Sequence, residues 1–198
     1  MPVAANPTES PSSCSTPTPS PGSALCVQCG LCCTGALHDA AVLDPDEVSP
    51  ALAVGLPVLD RKRPGFKLPC PKLEGTMCSI YGNRPRVCGR YRCSLLQEFE
   101  AGNIALSDAL ERVKTAKDLA AQVQAAMPEG ISLPEARAMR NARSDSTQSE
   151  LSYAVRMELK LRTTALDLYL DKYFRNSRDT HMLELTPIEA GGSQAEKK

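Results

Sequence analysis

Eight cysteines between Cys26 and Cys93 constrain this chain more than any other feature it has. They are Cys26, Cys29, Cys32, Cys33, Cys70, Cys78, Cys88 and Cys93; a ninth, Cys14, stands apart from them. Thiols at this density are normally tied together, by oxidation to disulfides or by a shared metal. The first residues, MPVAANPTESPSS, lack the basic start and apolar run of a secretory signal, so a cytoplasmic location is expected. That compartment keeps thiols reduced, and metal becomes the expected cross-link. The need for one is also physical. A short segment with few aromatics and no Trp builds a small core, which a metal can staple.

Charge narrows the function classes. Lys and Arg number 23 and Asp and Glu number 23, so nothing draws the whole chain to nucleic acid or to an anionic membrane. No apolar run approaches the ~20 residues that span a bilayer, and no membrane partner is expected. The local balance differs. From Asp60 to Cys93 there are nine bases (Arg61, Lys62, Arg63, Lys67, Lys72, Arg84, Arg86, Arg90, Arg92) and two acids (Asp60, Glu74), a net +7. Such a surround lowers thiol pKa values and compensates an anionic thiolate centre. A solvated basic face, or a patch for RNA or phosphate, is the competing reading.

Four segments are expected. Residues 1–22 are rich in Pro, Ser and Thr, with too little apolar surface to offset the entropy of ordering, and read as a disordered tail containing Cys14 as a free thiol. Residues 23–96 form the cysteine domain, broken by Gly and Pro into turns and short elements. Within it Ala41–Leu43 and Phe66–Leu68 read as strands. Asp44-Pro45-Asp46-Glu47 reads as a helix start, with Asp44 as N-cap, Pro45 at N1 and Glu47 at N3. Residues 103–178 are helical, and 179–198 a flexible tail. The helical spacing of Leu106, Leu110, Val113, Leu119, Val123 and Met127 predicts one helix, N-capped by Ser107 and stopped at Pro128 and Gly130. A second is expected from Ser132 to about Arg143. A third, from about Ser146 to Arg175, carries the stripe Leu151, Val155, Leu159, Leu166, Tyr169, Leu170, Tyr173 and Phe174. These stripes read as core packing. The expected fold is mainly α with irregular cysteine-rich metal-binding loops, a small module packed on two or three C-terminal helices.

The first cysteine group is the string CVQCGLCC, Cys26-x2-Cys29-x2-Cys32-Cys33. A two-residue gap lets one tight turn aim two sulfurs at a point, and Gly30 supplies permissive backbone. Two overlapping gaps give three convergent thiolates, while the adjacent Cys33 points elsewhere or reaches a second metal. The second group, Cys70-x7-Cys78-x9-Cys88-x4-Cys93, is looser and depends on the fold to converge. Two chemistries fit. Zinc takes four thiolates tetrahedrally, in one or two sites. An iron–sulfur cluster also takes four, and Cys70-Pro71 echoes the Cys-Pro of bacterial ferredoxins.

Other residues carry less. His38 is expected at the surface, with a ligand role as the alternative, and His181 has no expected role. Tyr81 either packs over the site or holds it by its hydroxyl. Arg84-Pro85 makes a rigid turn, with Arg84 donating to sulfur or backbone or solvated. No Ser-His-Asp set, phosphate-binding Gly loop or helical carboxylate pair is present, so catalytic residues are unassigned and any catalysis would involve metal or cysteine.

CVQCGLCC followed by LPCPKLEGTMCSIYGNRPRVCGRYRC is similar to the YkgJ-type cysteine-cluster family, with its CxxCxxCC signature and zinc- or iron-chelating description. The family's later string, Cys-x-Ile-Tyr-x-x-Arg-Pro-x-x-Cys and a final Cys, is matched by Cys78, Ile80, Tyr81, Arg84, Pro85, Cys88 and Cys93, after Cys70. The resemblance covers roughly residues 24–96. One departure is Gly89, where family members often carry Arg; here Arg follows one place later, at Arg90. The resemblance implies a metal-binding protein holding zinc or iron, or an iron–sulfur cluster, through the eight cysteines. Two alternatives follow: an iron–sulfur redox or modification enzyme, and a zinc-stapled module gripping RNA or an acidic protein.

Overall fold

A computed structural model describes residues 21–59, 62–141 and 152–176. Cys14, His181, Asp60, Arg61 and the starting residues expected for the third C-terminal helix lie outside the described residues. The fold is mainly α, with two small antiparallel strand pairs.

Helix α1, Pro21–Cys29, already carries Cys26 and Cys29. It ends at Gly30, whose φ of +69° is one that L side chains rarely adopt. Strands β1 (Ala40–Val42) and β2 (Gly65–Lys67) pair antiparallel with Ala41 opposite Phe66, within one residue of the expected segments. Gly65 is required there, because a Cβ would lie 2.4 Å from the Ala41 carbonyl oxygen. The expected helix start at Asp44 forms as a 3-10 turn, Pro45–Glu47, running into α2, Val48–Ala53. The Asp44 amide donates to Glu47 at 3.4 Å, as in a capping box. Strands β3 (Leu73–Glu74) and β4 (Met77–Cys78) make a short hairpin turned by Gly75 at φ +62°. Helices α3 (Arg86–Arg90) and α4 (Ser94–Glu100) follow.

Three C-terminal helices complete the fold: α5 (Leu106–Ala125), α6 (Leu133–Asn141) and α7 (Tyr153–Tyr173). Ser107 is not the cap expected for α5. Ala105 holds the extended N-cap backbone, and Ser107 lies in the first turn, donating to Asp108. At α6 the start is as expected, with Ser132 and Glu135 bonded reciprocally. The stripe on α7 does pack inward: Leu159, Leu166, Leu170 and Phe174 are buried.

Two apolar clusters organise these elements. The larger joins Leu25, Leu31 and Leu37 of the cysteine segment to Leu95, Leu96, Val113, Val123, Leu159, Leu170 and Phe174. The smaller, Ala41, Leu43, Ala51, Leu56, Phe66 and Leu68, sits beneath the strands and α2. The cysteine segment is thus built against the helical half, not beside it. His38 corrects an expectation, being 1% exposed rather than at the surface. Its ring stands edge-on to Tyr91, centroids 4.8 Å apart, in the packed interior.

Candidate metal centre

All eight cysteines line one cavity of about 590 Å³. Cys26 is exposed at its rim, the other seven are partly buried, and none is in a disulfide. Leu37, Leu95, Leu96, Val113 and Phe174 contribute apolar wall, and exposed Val27, Met77 and Tyr81 surround the opening.

Local folding explains how each thiol arrives. Cys26 and Cys29, three residues apart on α1, share a helix face. The chain then tightens round Gly30, whose carbonyl accepts from Cys33 at 3.0 Å and Thr34 at 3.2 Å. Cys33 accepts from the Cys70 amide at 2.8 Å, which brings the second group to the first. The Leu73 amide donates to the Cys70 carbonyl, and Leu73 pairs directly with Cys78 across the hairpin. Cys88 rides on α3. Cys93 is the N-cap of α4, where its sulfur accepts from the Leu96 amide at 3.4 Å. That position is held from the far end of the chain. Ser94 donates its amide to the Phe174 carbonyl at 2.9 Å, and Asn176 donates to the Arg92 carbonyl at 3.0 Å.

Burial dominates the electrostatics. It pushes the thiols of Cys29 and Cys88 up to about 12 and those of Cys33 and Cys93 up to about 11, and it holds Cys32 well above the ordinary thiol value. Cys26 and Cys70 are also raised, by burial first. Backbone amides oppose this where a turn aims them at sulfur: Leu31 toward Cys29, Lys72 toward Cys70, Leu96 toward Cys93. Cations oppose it too: Arg92 at Cys26, Lys117 at Cys29, Lys72 at Cys70, and Arg84 at Cys26, Cys33 and Cys88.

The expected basic surround is therefore divided. Arg84 faces the thiols, its guanidinium carbon 3.8 Å from the Tyr81 ring centroid. It passes over Gly89, where a Cβ would meet Arg84 Nε at 3.4 Å. Arg86 faces away, bonded to Asp44 and Asp46 at 3.0 and 2.7 Å, while its amide donates to Glu47 at 2.6 Å. Its work is to clamp α3 onto the turn before α2. Lys117 was missing from the sequence reading. It lies on α5, donates to the Gln28 carbonyl at 2.8 Å, and nothing in its spacing to the cysteines could have pointed to it. Arg92 was legible from its place beside Cys93.

The donor set suits a soft, thiophilic metal. Cysteine sulfur dominates the cavity wall, which no His, Asp or Glu lines, and buried thiols held above their ordinary pKa ionise only against compensating charge. Among the described residues, no three His, Cys, Asp or Glu side chains already stand close enough to share an ion. Gathering them requires the thiols to turn into the cavity they line. His38 does not line it.

A mainly helical domain gathers eight free cysteines on the wall of one cavity. Residues 25–115 match the CxxCxxCC family model, described as a putative zinc- or iron-chelating domain. The match runs beyond Cys93, through α4 and into α5, so the family unit includes helical structure as well as the cysteine loops. No curated protein and no solved structure matches the chain. Among the described residues, no helix is long and apolar enough to cross a membrane.

Proposed function

We propose that this protein binds zinc or iron through Cys26, Cys29, Cys32, Cys33, Cys70, Cys78, Cys88 and Cys93, in the reducing cytoplasm, and that the metal is part of its folded structure. The observation that carries this reading is the shared cavity: cysteines from two distant stretches of chain line one wall. Bound metal would supply the positive charge that lets these thiols ionise in an apolar setting. Arg84, Arg92, Lys72 and Lys117 offset the remaining negative charge, and the amides of Leu31, Lys72 and Leu96 orient sulfurs.

The breadth of the cavity favours a second reading, an iron–sulfur centre serving redox or modification chemistry. Its wall extends to Val113 of α5 and to Phe174, which leaves room beyond a single ion. Elemental analysis with an absorption spectrum on anaerobically purified protein tests both. Iron and sulfide with a broad band near ~400 nm support the cluster. Zinc with a featureless visible spectrum supports the chelating or structural centre. Absence of metal would overturn the proposal.

A further inference from the structure

We propose that the eight thiols make two separate four-sulfur centres, one from Cys26, Cys29, Cys32 and Cys93 and the other from Cys33, Cys70, Cys78 and Cys88, with the Cys32–Cys33 peptide as the wall between them. The inference rests on the metal-binding reading above and specifies how its ligands divide.

The backbone makes the division. Cys26 and Cys29 lie on α1, Cys32 follows within one turn of its end, and α1 packs on α4, whose N-cap is Cys93. Cys33, by contrast, is tied to Cys70 through the 2.8 Å amide-to-carbonyl bond, and Cys70 leads through Leu73 to Cys78 on the neighbouring strand. The two apolar clusters divide five of the thiols the same way. Cys29, Cys32 and Cys93 pack on the larger cluster, with Leu25, Leu31, Leu95 and Leu96. Cys70 and Cys88 pack on the smaller one, with Phe66 and Leu43. Cys32 thus packs on the larger cluster, while Cys33 is tied by backbone to Cys70, which packs on the smaller one.

Four sulfurs complete a tetrahedral ion or a four-thiolate cluster, whereas eight round one ion exceed any thiolate site. Sequence order conceals the arrangement, because the first centre takes three early cysteines and the last one.

The test is uptake of ¹¹³Cd²⁺, a thiophilic stand-in for zinc, by the reduced, metal-free full chain under anaerobic conditions, followed by proton–cadmium correlation of the cysteine methylenes. Two cadmium resonances are expected, at about two ions per chain. Cys26, Cys29, Cys32 and Cys93 should correlate with one, and Cys33, Cys70, Cys78 and Cys88 with the other. This reading needs no variant and so survives any folding defect. Variants add a second check. Cys29→Ser/Cys93→Ser should keep about one ion, and Cys29→Ser/Cys88→Ser should lose tight binding of both. A single resonance, or any cysteine correlating across the division, overturns the two-centre proposal. No cadmium uptake by the unmutated chain overturns the metal-binding reading itself.

Discussion

Arg137 donates to the carbonyl of Ala36 at 3.0 Å, across 101 positions of sequence. The same guanidinium donates to the Gly35 carbonyl at 2.5 Å and pairs with Asp39. Arg175 donates to the carbonyls of Ala36 and Leu37 at 3.1 and 3.0 Å. Asp167 on α7 is bonded to Arg175 at 2.9 Å and to Arg140 at 2.5 Å. The loop that follows CVQCGLCC is therefore gripped by α6 and the end of α7, and the helical half fixes where the first cysteine group sits.

Arg137→Ala should destabilise the protein by about 2–3 kcal/mol, since it removes charge-assisted hydrogen bonds made by a nearly buried side chain and takes the guanidinium donor from the Gly35 carbonyl. Urea unfolding of the metal-loaded protein checks this. Arg137→Lys should recover only part of the loss, because an ammonium cannot reproduce the fork that reaches Gly35, Ala36 and Asp39 together.

Gly35→Ala tests the same junction from the loop side. Gly35 has φ +80°, and a Cβ there would lie 2.8 Å from Pro134 at the start of α6. Backbone strain and collision should together cost about 1–3 kcal/mol. Thermal melting should show the loss, whereas Gly82→Ala, where a Cβ meets nothing, should leave the midpoint nearly unchanged.

Legibility in the sequence followed the range of the cause. Local causes were readable: Ser132 with Glu135 at the start of α6, Asp44 with Glu47 before α2, and the Ala41 and Phe66 strands. The cap of α5 misled, because Ser107 is a good capping residue but the extended backbone falls at Ala105. Helix α1 was missed, since CVQCGLCC reads as a turn and its helix gains stability from packing Leu25 into a core supplied by residues far away. His38 was misplaced for the same reason. Its burial depends on Tyr91, and a polar residue carries no local sign of such a partner. Spacing put the cysteines forward as a group, but the tie of Cys33 to Cys70 was not legible, because it is one long-range hydrogen bond.

Metal-free and metal-loaded protein should respond to pH in opposite directions. Burial holds Cys33 and Cys93 at about 11 and Cys29 and Cys88 at about 12, above the ~8.5 of an unfolded chain. The folded metal-free state then keeps protons that the unfolded chain releases. Its stability is full below about pH 8.5 and falls as pH rises toward those higher values. Metal binding needs thiolates and releases protons, so metal affinity falls as pH drops. Melting curves with and without chelator, across about pH 6 to about pH 10, should cross in slope.

Cys14 offers a control for the cysteine assignments. Cys29→Ser and Cys32→Ser should each lose the ion of their own centre and unfold the segment around α1, because metal affinity and folding are coupled. Cys14→Ser should change neither metal content nor melting temperature. A large effect at Cys14 would mean that the ligand set includes the N-terminal tail.

Arg84 should tune metal affinity without being a ligand. Its guanidinium lies on the Tyr81 ring and lowers the thiol pKa of Cys26, Cys33 and Cys88, so it favours the ionised sulfurs that metal requires. Arg84→Gln keeps much of the side chain but removes that charge. Affinity should fall by about tenfold, at the low end for groups that support a metal site from behind its ligands. The metal-to-protein ratio at saturation should stay the same. Competition against a chelator of known affinity measures both quantities at once. A lower saturating ratio would make Arg84 essential to forming the centre, whereas unchanged affinity would leave the stack on Tyr81 as its whole contribution.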